Sequence, residues 1–313
     1  MLPKIVIAGS LNMDFVVQVE RLPAPGETTL GSNFQMAPGG KGANQACAVG
    51  RLGQDSVNAV MAGRVGYDLF ADHLKASLSA AGVDVGAVYA TKTAATGVAL
   101  IWVDAAGQNS IVVASGANFE FTKSELTGQK NLFSGAKVAL FQLETPLEAV
   151  AEGLRIARQT GVKTILDPAP ARGLSSEILV NVDILTPNET EAQALLGRQA
   201  ISISLAEAPL IAEELLTRGS RAIVLKLGAQ GCFYTDGQMS LHSPGIRVNA
   251  MDSTAAGDVF NGALAVALAE EKPIAEALRF ANAAAALSTT KAGAQSSVPR
   301  RNEVDLFLKS CAS

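Results

Sequence analysis

The chain has 313 residues, of which 48% are hydrophobic and 17% are charged. This length and composition predict a folded protein with a well-buried core and argue against disorder. The formal net charge is −4, and no segment is rich in lysine or arginine. Charges also interrupt the apolar stretches well before they reach membrane-spanning length. We therefore expect neither nucleic acid nor a membrane as a partner.

Histidine and cysteine are scarce. The chain has two histidines, and its three cysteines, Cys47, Cys232 and Cys311, are far apart. These counts argue against a histidine-rich metal site, a histidine-based triad and a disulfide framework. The apolar run that starts at Ile5 is too short for a signal peptide. Together these features predict a protein of the reducing cytoplasm.

Short apolar runs alternate with helical patterns along most of the chain. The predicted strands are 5–9, 57–61, 138–143, 164–166, 184–186, 222–226 and 232–234. The predicted helices are 43–52, 68–81, 147–160, 209–218, 263–269 and 274–289. This alternation is typical of an α/β protein in which helices connect parallel strands.

Four further β-like runs, 15–20, 28–36, 96–103 and 110–113, are not followed by helices. The last two flank a turn at 104–107, which predicts a hairpin. We expect these runs to form a small separate sheet. No repeat or linker divides the chain, so the sequence predicts one domain, 1–313, with a lid inserted at about 14–38 and 92–115.

Acids and amides stand at the ends of several predicted elements: Asn12, Asp14, Asn44 and Glu144. Ligands gather at the carboxyl edge of open α/β sheets. Carboxylates and amides can bind the neighbouring hydroxyls of a sugar. Taken singly, each residue is better explained as a cap or a turn residue. Their positions at the edges of separate elements favour a shared binding role.

A glycine-rich turn, Gly39-Gly40-Lys41-Gly42-Ala43-Asn44, precedes the first predicted helix. Its spacing differs from the GxxxxGK[ST] phosphate loop, and no GxGxxG follows the first strand. The turn allows a small polar ligand to approach the backbone, with Lys41 and Asn44 as hydrogen-bonding side chains. The alternative is a plain glycine-rich entry to a helix.

The segment 251–262 combines small residues with Gly257 and Asp258 at a predicted helix start. Bare amides at such a start, together with the helix dipole, can bind an anion. Asp258 could then remove a proton from a hydroxyl that attacks a bound phosphate. A helix with an acidic first turn is the alternative.

A second polar helix start, Asn188 to Glu191, follows the strand at 184–186. The pattern is typical of a capped acidic first turn. It is also compatible with Glu191 holding a water on a magnesium–phosphate unit.

Several motifs in the same order resemble those of the PfkB family of ribokinase-type sugar kinases. Two carry most of the resemblance: 39–46 (GGKGANQA) and 252–262. Three more fit it: 9–14 (GSxNxD), 186–191 (TPNExE) and 293–299 (GAQxSVP). The resemblance covers essentially the whole chain. It implies a three-layer α/β/α core with a small β-sheet lid, and often a homodimer formed through the lids.

The resemblance also implies roles for individual residues. Asp258 matches the catalytic base, and the amides of Ala255, Ala256 and Gly257 match an anion hole. The sugar-binding positions, besides Asp258, correspond to Asn12, Asp14, Gly40, Lys41, Gly42, Asn44 and Glu144. The nucleotide site corresponds to Asn188, Glu191, Lys226, Leu227, Gly228, Ala229, Gln230, Gly231, Gly257 and Asn282. A monovalent-cation site corresponds to Asp252, Thr254, Ser288, Lys291, Gly293 and Ser297.

The activity implied is transfer of a phosphoryl group from ATP to the 5-hydroxyl of D-ribose, with Mg²⁺ and K⁺ as cofactors. Another sugar, such as 2-deoxyribose, or a nucleoside is the nearest alternative acceptor. A sugar-binding protein without catalysis and a nicotinamide-dependent dehydrogenase are more distant alternatives.

Two positions depart from the family pattern. Lys226 stands where ribokinase-type kinases commonly have threonine, and Asn282 where histidine is frequent. We expect these differences to affect nucleotide preference and affinity and to leave the chemistry unchanged.

Overall fold

The computed structural model describes residues 2–311 and contains two β-sheets. The strands are β1 (Lys4–Ala8), β2 (Asn12–Gln18), β3 (Ser32–Gly39), β4 (Asn58–Gly66), β5 (Val83–Thr91), β6 (Gly97–Val103), β7 (Asn109–Ala114), β8 (Ala136–Phe141), β9 (Lys163–Leu166), β10 (Ile184–Leu185), β11 (Ile223–Lys226), β12 (Gly231–Thr235) and β13 (Ser240–Pro244). The helices are α1 (Lys41–Leu52), α2 (Leu69–Ala80), α3 (Lys123–Gly128), α4 (Leu147–Gln159), α5 (Ser176–Leu179), α6 (Glu189–Leu195), α7 (Ala208–Leu216), α8 (Ala256–Ala269), α9 (Ile274–Ser288) and α10 (Arg301–Ser310).

The large sheet has the strand order β13-β12-β11-β10-β9-β8-β1-β4-β5. Its strands pair in parallel from β11 to β5, while β12 and β13 are antiparallel. Strand β1 lies between β8 and β4, with Ile5 opposite Val138 on one side and Ala59 on the other. Polar residues that follow the parallel strands therefore meet at one edge of the sheet.

Helices cover both faces of this sheet. In β1, Ile5 and Ile7 belong to one buried cluster, whereas Val6 and Ala8 belong to another. Successive side chains of a strand point to opposite faces, so an uninterrupted apolar strand needs cover on both. One cluster includes residues of α1, α2, α8, α9 and α10, and the other includes residues of α3 to α7. This is the predicted three-layer arrangement.

The second sheet has the order β3-β2-β6-β7, as expected for a small sheet built from the four runs without helices. Strand β2 pairs in parallel with β6 and antiparallel with β3. The predicted hairpin joins β6 to β7, and Asp104 Oδ1 accepts from the amides of Ala106 and Gln108 in its turn. Many apolar side chains around this sheet are exposed: Leu30, Phe34, Met36, Leu100, Ile111, Val112 and Val113.

The sequence analysis missed five elements, the strands β5 and β13 and the helices α3, α5 and α10. Strands β5 and β13 form the two edges of the large sheet, and β5 has only three buried residues among its nine. An edge strand needs less apolar surface than a central strand, so its sequence signal is weaker. Strand β3 also lies later than the predicted run 28–36. Helix α8 begins at Ala256, which agrees with the helix start predicted at Gly257 and Asp258, and it continues without a break through the predicted helix 263–269. Among the described residues, no helix combines the length and apolar character needed to cross a bilayer.

Candidate active site

The glycine-rich turn lies directly against the connection between β1 and β2. Gly40, with φ 86°, caps α1, and a Cβ built on it would lie 2.7 Å from the amide nitrogen of Asn12. A Cβ on Gly42 would lie 2.6 Å from the nitrogen of Ser10. Only glycine fits this close backbone approach. The turn therefore places Lys41 and Asn44 beside the polar residues that follow β1.

Glu144 joins two of these segments. Its Oε2 accepts from the Ser10 hydroxyl at 2.5 Å and from the Lys41 amide at 3.1 Å. Asn12 Oδ1 accepts from Asn118 Nδ2 at 2.8 Å. The structure thus places Glu144 against the glycine-rich turn and against the connection that leads to Asn12, although the sequence places these segments far apart.

Two buried polar groups on this side of the site, the Asp14 carboxyl group and the Asn44 side-chain oxygen, have unusual surroundings. Burial raises the pKa of Asp14 to about 7, assisted by the negative charges of Glu144 and Asp258. The Oδ1 atom of Asn44 is buried and has no hydrogen-bond partner among the described residues. A buried amide oxygen without a donor is costly, so a ligand hydroxyl is a natural partner for it.

Asp258 lies in the first turn of α8 and is 6% exposed. It accepts from Asn44 Nδ2 at 3.1 Å and from Gln45 Nε2 at 3.0 Å. Burial raises the pKa of Asp258 to about 6; the Lys41 charge opposes this rise and the Asp167 charge adds to it. A carboxyl group with this pKa is ionised at neutral pH and can accept a proton.

A buried chain of hydrogen bonds continues from Asp258. Gln45 Nε2 also donates to Asp167 Oδ2 at 3.0 Å, and Gln142 Nε2 donates to Gln45 Oε1 at 2.7 Å. On its other side, Asp167 forms an ion pair with Lys226 at 3.0 Å. Burial lowers the pKa of Lys41, but the charges of the surrounding carboxylates outweigh this effect and raise it overall.

The start of α8 has an unusual backbone. Ala255 caps the helix with φ 59°, a left-handed conformation that non-glycine residues seldom adopt. Val259 donates to the Ala255 carbonyl at 2.9 Å, so the amides of Gly257 and Asp258 precede the first hydrogen bond of the helix. The small side chains of Ala255, Ala256 and Gly257 line a cavity of about 390 Å³. This geometry suits a bound anion.

A second cavity, of about 720 Å³, adjoins the first. Both are lined by Lys226, Gly228, Ser253, Ala256 and Gly257. Of the residues expected at a nucleotide, Lys226, Gly228, Ala229, Gly231, Gly257 and Asn282 line the large cavity, and Asn188 and Glu191 line the small one. Leu227 and Gln230 line neither. The side chain of Leu227 is in the core, and the Gln230 carbonyl bonds with His242.

Asn188 and Glu191 form the capping box at the start of α6. Glu191 accepts from the Asn188 amide at 2.8 Å and from Asn188 Nδ2 at 2.9 Å. Burial raises the pKa of Glu191, and the charge of Lys226 opposes that rise. The capped first turn is therefore present, and it also borders the small cavity.

Asp252 connects two of the segments expected at a cation. Its Oδ1 accepts from the Thr254 amide and hydroxyl, and its Oδ2 accepts from the Gly293 amide at 2.8 Å. Although burial raises the pKa of Asp252, these hydrogen bonds lower it overall. The Lys291 ammonium group pairs with Glu303, while the hydroxyls of Ser288 and Ser297 donate to nearby carbonyls.

Sequence reasoning missed several residues of the site: Ser10, Gln45, Asn118, Gln142, Asp167, 245–250, Ser253, Phe260, Ala285, Ala286 and Thr289. Asp167 follows β9 just as Glu144 follows β8, so the same strand-end rule could have identified it. The apolar wall of the large cavity comes from a loop and from α9, and it carries no motif that a sequence search could recognise.

A model of the pfkB family of carbohydrate kinases matches residues 2–301. The chain belongs to this family. Among curated proteins it is similar to the ribokinase of Haemophilus influenzae, with 41% identity over 97% of this chain and 98% of that protein. It is also similar to the deoxyribokinase of Salmonella typhi, with 31% identity over 97% and 98%.

Solved pfkB-family structures share this fold. The Arabidopsis thaliana ribokinase complexed with ribose and ATP superimposes with a TM-score of 0.91 and 32% identity, covering 99% of both chains. The family and the shared fold identify the protein as a carbohydrate kinase. The dehydrogenase alternative is thereby excluded.

Proposed function

We propose that the protein transfers the terminal phosphoryl group of ATP to the 5-hydroxyl of D-ribose, giving D-ribose 5-phosphate. The observation that carries this proposal is the position of Asp258. Its carboxylate lies in the first turn of α8, between a polar group of side chains around the glycine-rich turn and two adjoining cavities. Relatives named ribokinase cover nearly the whole chain, which supports ribose as the acceptor.

On the acceptor side, hydrogen bonds would hold the sugar to side chains and bare glycine backbone. The residues assigned this role are Asn12, Asp14, Gly40, Lys41, Gly42, Asn44 and Glu144. The partnerless Asn44 Oδ1 supports this assignment because a sugar hydroxyl would satisfy it. Asp258 would then accept the proton of the attacking hydroxyl.

On the donor side, the large cavity is wide enough for a nucleotide, and its apolar wall suits an adenine ring. Of the three amides assigned to the anion hole, that of Ala256 donates to the Ser253 carbonyl at 3.2 Å. The amides of Ala255 and Gly257 would stabilise negative charge on the transferred group. Phosphoryl transfer has a loose transition state, so this positioning matters more than the strength of the base.

Mg²⁺ would accompany ATP, and it supplies positive charge for the phosphate oxygens when bound. Among the described residues, no group of three or more acidic, histidine or cysteine side chains could hold a metal ion by itself. Phosphate oxygens and waters would therefore supply most of the Mg²⁺ ligands, with Glu191 at the wall of the small cavity. Glu191 uses its two oxygens within the capping box but retains free lone pairs for a metal-bound water.

A monovalent cation, K⁺, would lie beside Asp252. Three donors hold this carboxylate between the 252–254 loop and Gly293, and they keep it ionised. Backbone carbonyls of Thr254, Ser288, Lys291, Gly293 and Ser297 would complete the site. The Lys291 ammonium group points elsewhere, to Glu303, which is compatible with a ligand that uses only the carbonyl.

We also propose that residues 1–313 form one domain, that the small sheet is its lid, and that two lids meet in a homodimer. The exposed apolar side chains of that sheet support this arrangement. Use of ATP and three free cysteines support a cytoplasmic location.

The acceptor is tested by incubating the purified protein with ATP and, separately, D-ribose, 2-deoxy-D-ribose, D-fructose and adenosine. We expect the highest kcat/KM with D-ribose and a product phosphorylated at the 5-hydroxyl. Deoxyribose is the second candidate because the Salmonella typhi relative is a deoxyribokinase. A higher kcat/KM with deoxyribose than with ribose would show that deoxyribose is the preferred acceptor. Binding of ribose without turnover of ATP would reject a kinase function.

A further inference from the structure

The ammonium group of Lys226 lies where the two cavities meet. Lys226 is the last residue of β11 and lines both cavities. A Cβ built on Gly257 would lie 3.5 Å from Lys226 Nζ. The side chain is 12% exposed, so it extends along the wall rather than into solvent. Its charge therefore lies beside the first turn of α8, where a transferred phosphoryl group would be.

Asp167 holds Lys226 in this position. Its Oδ1 pairs with Lys226 Nζ at 3.0 Å, and its Oδ2 accepts from Gln45 at 3.0 Å. Because Gln45 also donates to Asp258, one buried amide orients both the proposed base and the anchor of the lysine. The ammonium group is thus oriented before any ligand enters.

The small cavity is lined by more acidic than basic residues, so a bound phosphate needs a positive charge such as that of Lys226 close to it. The cavity is lined by four acidic residues, Asp167, Glu189, Glu191 and Asp258, and by two lysines, Lys41 and Lys226. A polyphosphate that enters a cavity lined by acidic residues is repelled by their negative charge unless a positive charge lies close to it. Lys41 belongs to the acceptor-side turn, whereas Lys226 lies on the wall of the large cavity.

We propose that the Lys226 ammonium group binds the β- and γ-phosphates of the nucleotide directly and remains in contact with the group being transferred. This inference rests on the proposed kinase function and assigns a catalytic contact within its donor site. It differs from the expectation from sequence, in which the lysine in place of the family's common threonine leaves the chemistry unchanged. A threonine hydroxyl is neutral, whereas an ammonium group gives a charge-assisted hydrogen bond.

The test measures nucleotide affinity by calorimetry, without any sugar. In Lys226→Met we expect the affinity for the non-hydrolysable imido analogue of ATP, with Mg²⁺, to fall by at least about tenfold. Adenosine has no phosphate, so its affinity should stay unchanged. Lys226→Arg keeps the charge and should retain most of the affinity for the analogue. Lys163→Met, at the exposed amino end of β9, is the matched control and should bind both ligands normally.

A second pair of variants separates the phosphate contact from the buried charge that Lys226→Met leaves on Asp167. Asp167→Asn and Lys226→Met/Asp167→Asn both lack that charge, so they differ only in the lysine. We expect the double variant to bind the analogue at least about tenfold more weakly than Asp167→Asn. Equal affinities would overturn the proposal. Failure of the wild-type protein to bind the analogue would instead reject the kinase function itself, which the acceptor panel tests separately.

Discussion

Asp258 combines a buried carboxylate with two amide donors. Asn44 and Gln45 both donate to it, and its raised pKa of about 6 follows mainly from burial. These donors orient the carboxylate, so replacing it changes the chemistry far more than the packing.

We expect Asp258→Asn to reduce kcat by about 10² to 10⁴, because the proposed proton acceptor is lost while the side-chain volume is kept. Steady-state kinetics with ATP and D-ribose measure this effect. Thermal unfolding should show a folded protein, since the substitution removes a buried charge and introduces an amide of the same shape. Near-normal turnover in a folded variant would contradict the assignment.

The raised pKa of Asp14 predicts that the free energy of unfolding depends on pH. Its pKa is about 7 in the folded protein, against an ordinary value of 3.8. Between these values the unfolded chain loses the proton first, so the free energy of unfolding decreases as the pH rises from about 4 to 7.

Asp14→Asn removes this titrating group. Relative to the wild type, the variant should gain about 2 to 4 kcal/mol in free energy of unfolding between pH 4 and pH 8. Urea denaturation of both proteins at each pH measures this gain. A difference between the two proteins that stays constant with pH would show that Asp14 does not titrate in this range.

At the scale of elements, turns and helix starts decide the geometry of the site. The capping glycine of α1 and the left-handed residue that caps α8 place both helix starts against the carboxyl edge of the sheet. Alanine substitutions at two glycines with similar φ separate the cost of conformational strain from the cost of a close contact.

Gly40 has φ 86° and Gly26 has φ 82°, but a Cβ on Gly26 would meet nothing within 4 Å. We expect Gly26→Ala to cost about 1 to 2 kcal/mol from the left-handed conformation alone. Gly40→Ala should cost more and raise the KM for the sugar, because its Cβ meets the backbone of Asn12. Urea denaturation and sugar kinetics compare the two variants; equal costs would mean that the close approach is unimportant.

The loop at 252–254 and Gly293 are joined through Asp252 alongside the start of α8. A cation bound there would stiffen the proposed anion hole. We expect activity to rise several-fold when K⁺ replaces Na⁺ at constant ionic strength, and Asp252→Ala to lose this response. A wild-type enzyme that is indifferent to both ions would reject the cation site.

At the scale of the whole molecule, the small sheet presents apolar side chains that the described fold leaves uncovered. Leu100, Ile111, Val112 and Val113 are all more than 40% exposed. Leu100 and Val112 are cross-strand partners on one face of the sheet, whereas Ile111 and Val113 lie on the other face. Exposed apolar side chains of this kind typically mark an interface.

Ile111→Lys should convert the proposed dimer into a monomer, because it places a charge within that interface. Leu210→Lys replaces an exposed leucine of α7, on a helical face of the large sheet, and should leave the dimer intact. Sedimentation velocity measures the oligomeric state of the wild type and of both variants. If the wild type is itself monomeric, or if both variants stay dimeric, the lids do not form the interface.

The alternation of apolar strands and helices was sufficient to predict an α/β protein with parallel strands, and the family resemblance added the three layers. The four runs without helices likewise predicted the small sheet. These signals are local, because a buried parallel strand such as β1 must be apolar on both faces. The glycine-rich turn and the small residues before Asp258 could also be identified from the sequence. Close approach of two backbone segments requires glycine, and exposed helix amides require small residues, at adjacent positions of the chain.

The connections within the site were decided by tertiary structure. Gln45 and Asp258 are 213 residues apart in the chain, and Gln45 and Asp167 are 122 apart. Neither glutamine nor aspartate is unusual in its own segment. Only the order of the large sheet, with β9 and β11 near each other and α8 packed against α1, brings these residues and Lys226 together. The sequence by itself determined the central strands, most of the long helices and where backbone must stay bare, because those constraints act between neighbouring residues. Charge pairing and pKa depend on contacts across the fold, so they required the tertiary structure.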